Sequence, residues 1–119
     1  MFYVLGCWTV ARAVSNGIEI AWICERNIHL DFLQDENSAI SGLALGRWPE
    51  LVNSKCLRFI DPWGDTIFNQ IQLPDLLAEL KLEIAEPSNK DCLGHLTRAV
   101  QLIERAQDQI HTYIKFIGD

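Results

Sequence analysis

Seven apolar residues recur across residues 88–117. Leu93, Leu96, Val100, Ile103, Ile110, Ile114 and Ile117 are spaced by threes and fours, with Gln107 as the single polar break. That spacing keeps side chains on one face of a helix. Ser88 offers an N-cap oxygen, Asp91 follows three residues later, and Gly118 stands just past the end. These are start and stop signals, and together they predict one long helix over 88–117. Leu102 and Phe116 widen its apolar arc beyond the seam. A helix with so broad an apolar face needs two apolar neighbours. The sheet supplies one and a shorter helix the other. Where that shorter helix falls short, the edge of Leu102 and Phe116, together with Gln107, is expected to pair in a homodimer.

Upstream, the pattern changes from helical to alternating. Residues 2–14, 18–25 and 28–33 are rich in β-branched and aromatic side chains. Ser15-Asn16-Gly17 and Arg26-Asn27 are turn signals between them. In 18–25, Ile18, Ile20, Trp22 and Cys24 share one face. In 28–33, Ile28, Leu30 and Phe32 are expected inward and His29 and Asp31 outward. A three-stranded meander follows. Residues 39–48 suit a short helix begun at Ser38 and ended near Gly46. Residues 55–60 and 65–70 read as a hairpin about the turn Asp61-Pro62-Trp63-Gly64, where Asp accepts backbone hydrogen bonds and Pro presets φ. Pro74 fits the first turn of a helix over 74–84, with Asp75 near its positive end. Strands followed by helices predict an α+β fold. It comprises an antiparallel sheet of about five strands, covered on one face by a C-terminal antiparallel helix pair. The length of 119 residues predicts one domain over 1–119.

Charge narrows the partners. The net charge is −6. An acidic chain with no basic cluster repels nucleic acid and anionic membranes. No apolar run approaches the roughly 18 residues of a membrane span. Val4-Leu5-Gly6-Cys7 lacks the basic flank and apolar length of a cleaved signal. Cys7, Cys24, Cys56 and Cys92 are scattered without metal-binding spacing, as expected of reduced thiols in a cytoplasmic protein. No cofactor and no metal is expected.

Candidate functional residues fall into four groups. His29 and Asp31, at i, i+2 on a strand, would share a face as an acid–base pair. Asp61, Trp63 and Asp65 set two carboxylates around an aromatic ring at a turn tip, a place where Trp serves as an interface anchor. Trp48 is a second aromatic contact candidate. Asp75, Glu79, Glu83 and Glu86 step along one helix edge, forming an acidic surface suited to a basic partner. His95 and His111 are 16 residues apart. On a single helix that separation is about 160° of rotation, so they cannot share a metal ion. No phosphate-loop or catalytic signature is present. The leading expectation is a small acidic, non-catalytic protein-binding module, of the inhibitor or immunity type, with a basic partner. The alternatives are a small enzyme using His29/Asp31 or Asp61/Asp65, and an obligate homodimeric structural subunit.

Overall fold

The computed structural model describes residues 17–118. Among these residues the fold is α+β: a four-stranded antiparallel sheet with three α-helices. Strands β1 (Glu19–Cys24) and β2 (His29–Leu33) are followed by α1 (Ala39–Gly46). Then come β3 (Asp65–Phe68), α2 (Leu73–Ala85), α3 (Leu93–Gln107) and β4 (Thr112–Ile117). The strand order is β2-β1-β4-β3.

The largest correction to the sequence reading concerns residues 88–117, which are not one helix. Residues 87–92 form a 3-10 segment, α3 covers the middle, and the last six residues are a central strand. The helix stops at Gln107, the one break in the apolar series. Beyond it, Thr112, Ile114 and Phe116 are buried while Tyr113, Lys115 and Ile117 are less so. That is the period of two that a strand requires. Ile110 is 77% exposed and belongs to neither seam. His111, at φ 63°, turns the chain from α3 into β4. Gln70 holds this reversal from outside, its Nε2 donating to the carbonyls of Ala106 and Gln109. Leu102 and Phe116 are buried inside the chain, and Gln107 is exposed. The helical edge expected to pair two subunits is therefore not formed.

The hairpin of β1 and β2 is as expected, with Asn27 at φ 60° in its turn. β1 is paired with β2 on one edge and β4 on the other. The strand expected at 2–14, with its hairpin to 18–25, lies outside the described residues. A second difference lies in β2. A bulge shifts the register, so that Trp22 faces Asp31 but Ile23 faces His29. One extra residue reverses the parity of everything beyond it. In the regular part of the ladder Ile20 and Trp22 pair with Leu33 and Asp31, which puts those two on the core-side face and turns Phe32 away from it; Ile28, Leu30 and Phe32, expected inward, are each about half exposed.

Directly paired residues share a face of the sheet. Ile20, Phe116, Ile114 and Phe68 therefore lie together, and all are in the core with α2 and α3 residues Leu76, Leu80, Leu96, Val100 and Ile103. α3 lies against β1, β2 and β4 and also touches α2. Trp48 and Phe116 are among the largest fully buried side chains. Phe68 and Phe116 meet edge to face at 5.7 Å. No helix among the described residues is long and apolar enough to cross a membrane.

The expected strand at 55–60 is a 3-10 turn, Leu57–Phe59. The backbone N–H groups of Lys55, Cys56 and Leu57 point at Glu79 of α2 instead of at a neighbouring strand. α1 has the expected bounds, but Ser38 does not cap it. Asp35 does: its carboxylate accepts from the N–H groups of Ile40 and Ser41, and also from Ile18. One side chain thereby joins the first turn of α1 to the start of β1. Gly17 leaves room for it, since a Cβ there would sit 2.5 Å from Asp35 Cβ.

Candidate functional site: the groove beside α2

Two carboxylates one turn apart on α2 organise the segment that follows α1. Glu79 accepts hydrogen bonds from Ser54 Oγ at 2.7 Å, and from the N–H groups of Lys55, Cys56 and Leu57 at 2.7, 3.3 and 3.0 Å. Three successive backbone donors converge on it, and so 55–57 coils and makes no strand. Glu83 accepts from Arg47 Nε at 2.8 Å and Nη2 at 3.0 Å, a two-pronged pair. It also accepts from Trp48 Nε1 at 2.8 Å and Asn89 Nδ2 at 3.2 Å.

Both groups are held ionised. Burial raises each carboxyl pKa. For Glu79 the hydrogen bonds from Leu57, Ser54, Lys55 and Cys56 outweigh that effect and hold it below the ordinary value. For Glu83 those from Arg47, Trp48 and Asn89 do the same. A carboxylate so held has no proton to give and no tendency to take one near neutral pH, so neither is suited to general acid–base work. The neighbouring thiol of Cys56 is pushed up to about 11, by burial first and then by the charges of Glu79 and Asp75. It stays protonated and is a poor nucleophile.

Between α2 and residues 47–57 lies a groove of about 500 Å³. Leu51, Val52, Leu57 and Leu82 line it, with Val52 75% and Leu82 71% exposed. Glu50, Glu79, Glu83 and Glu86 contribute four carboxylates against the one guanidinium of Arg47, a formal net of −3. Arg47 pairs with Glu83 and lies 3.6 Å from Glu86. The lining is thus apolar in its walls and negative in its charge.

The sequence-derived candidates are dispersed around this geometry. Trp48, Glu79 and Glu83 come together at the groove, but Trp48 is fully buried beneath it and the two glutamates are internal anchors. Asp75 is exposed at the start of α2 and does not line the groove. The expected acidic edge of α2 is therefore half consumed by the fold. Asp61, Trp63 and Asp65 form the anticipated turn elsewhere. Asp61 Oδ1 accepts from Trp63 N at 2.8 Å, Asp65 pairs with Lys115 at 3.4 Å, and Trp63 is 69% exposed.

His29 and Asp31 are not brought together. Asp31 lies opposite Trp22 in the regular part of the ladder, on the α3 side, where Arg105 binds it at 2.6 Å and lowers its pKa; the bulge displaces His29. His29 lies opposite Ile23 on the other face, 3.9 Å from Glu19. An acid–base pair across these two residues is not formed. His111 pairs with Glu25 at 3.0 Å. His95 is buried, 3.6 Å from Asp35, beside a smaller depression of about 330 Å³ that Cys92, Asp91 and Arg98 also line. Among the described residues no three His, Cys, Asp or Glu side chains are grouped to hold a metal ion.

Sequence reasoning missed Arg47, Val52, Ser54, Leu57 and Leu82. One signal was present for Leu82: it lies off the apolar line of α2, so its side chain had to face outward. The long-range partners of Glu79 and Glu83 leave no local signature. No family model, no curated protein and no solved structure matches this chain.

Proposed function

We propose that this chain is a non-catalytic protein-interaction module whose contact site is the groove between α2 and residues 47–57. One observation carries this reading. Val52 and Leu82, both aliphatic and more than two thirds exposed, flank a concave, acid-lined groove. Exposed apolar side chains beside a concavity favour a partner that removes them from water, at roughly 25 cal/mol per Å² of apolar surface covered. Carboxylates held ionised and a thiol held protonated argue against acid–base or nucleophilic chemistry at the same place. The acidic lining favours a basic partner, as an inhibitor or immunity-type protein would have.

The test is a photo-crosslinking amino acid installed at Val52, compared with the same group at Ile110. Ile110 is equally exposed but outside the groove. We expect a discrete protein adduct from position 52 and none from position 110. Equal adducts from both positions would refute the groove as the contact site.

A further inference from the structure

Resting on that reading, we propose that the groove is built to take one arginine side chain, flanked by aliphatic residues, from the partner. Glu79 lines the groove. Its Oε1 accepts from Ser54 Oγ and from the N–H groups of Cys56 and Leu57, whereas its Oε2 accepts only from Lys55 N. Each carboxylate oxygen offers about two acceptor directions, so Oε2, with one donor, retains one. All four donors are neutral. Glu83 has its charge matched by the guanidinium of Arg47, but Glu79 has no cationic side chain within 4 Å among the described residues. Its negative charge is fixed in place, partly screened from water, and uncompensated by any described cationic side chain within 4 Å.

The surroundings specify what would compensate it. Leu57 and Leu82 line the same groove and can cover methylene groups. Glu50 and Glu86 add negative charge to the lining. A long side chain with an apolar stem and a cationic head meets both demands. Guanidinium suits a partly dehydrated site better than ammonium, because it is more weakly hydrated and presents several donors in a plane. An acidic or purely aliphatic ligand would leave Glu79 as it is.

The experiment titrates the full chain, isotope-labelled, with acetyl-Leu-Arg-Leu-amide. The control is the same peptide with citrulline, which keeps the shape of arginine and removes its charge. We expect shifts of the Val52, Glu79 and Leu82 amides with the arginine peptide, and binding roughly tenfold tighter than with citrulline. That ratio should shrink in 0.5 M salt, where the screening length is only a few ångströms. Glu79→Gln risks unfolding the 54–57 turn. The double variant Glu50→Gln/Glu86→Gln therefore provides the second measurement, and should weaken the arginine peptide severalfold while leaving citrulline unchanged. Equal binding of the two peptides would overturn the arginine assignment and leave the groove as a contact site. Absence of groove shifts with either peptide would overturn both.

Discussion

Trp48 and Glu83 are 35 residues apart in the chain and meet at 2.8 Å, indole N–H to carboxylate, with both side chains buried. The contact fastens the end of α1 to the last turn of α2, and Arg47 and Asn89 complete it. Replacing Glu83 with Ala should strand the Trp48 donor and leave Arg47 with only Glu86, at 3.6 Å. We expect a loss of about 2–4 kcal/mol, since Arg47 is partly solvated and recovers some hydration. Urea unfolding followed by tryptophan fluorescence measures it. A loss below about 0.5 kcal/mol would mean that the network contributes nothing.

Acid should loosen the same region first. Glu79 and Glu83 both have pKa values held below the ordinary 4.5 of a glutamate. Groups whose pKa falls on folding stabilise the native state above the unfolded value and lose that contribution as pH drops through the folded one. Stability should thus be level from neutral pH to about 4.5 and fall below it. Glu79→Gln should be less stable at pH 7 and show a shallower decline, measurable by thermal melts between pH 2.5 and 7. An identical pH slope in the variant would contradict the assignment.

Ile110 and Ile114 discriminate the strand at the C-terminus from the helix that the spacing suggests. On one helical seam they would be equivalent. In the fold Ile110 is 77% exposed and Ile114 is fully buried. Ile114→Ala should cost roughly 2–5 kcal/mol, as cavity-forming core substitutions do. Ile110→Ala should stay within about 0.5 kcal/mol. Chemical denaturation of the two variants decides it, and comparable losses would restore the single helix.

That pair also shows how far the sequence could be read. The spacing of Ile103, Ile110, Ile114 and Ile117 satisfies a helical period, yet Thr112, Ile114 and Phe116 satisfy a period of two equally well. Two periods overlapped on the same residues, and the β-branched and aromatic content of 112–117 was the better guide. α2 and the β1–β2 hairpin were legible because local signals agreed there, whereas at α1 Gly42 opposed the helix and the cap is Asp35, not Ser38. Asp75 and Pro74 open α2, and Asn27 takes the positive φ of the hairpin turn. The separation of His29 from Asp31 was not legible, because the bulge opposite Trp22 and Ile23 carries no glycine or proline to mark it. The site was half legible. Glu79 and Glu83 stood out as one helix edge, but a carboxylate that binds solvent and one that binds Leu57 or Trp48 look the same in a sequence. Only the tertiary fold distinguishes them.

The most direct measurement combines the crosslinker at Val52 with Leu82→Asp in the same chain. Leu82 is 71% exposed, so the substitution should leave the thermal midpoint within a degree or two of the unsubstituted chain. It adds a fourth net negative charge to the lining and removes an apolar wall. We expect the adduct formed from position 52 to disappear while the fold is retained. An adduct of unchanged yield from the folded variant would contradict the groove as the surface through which this protein acts.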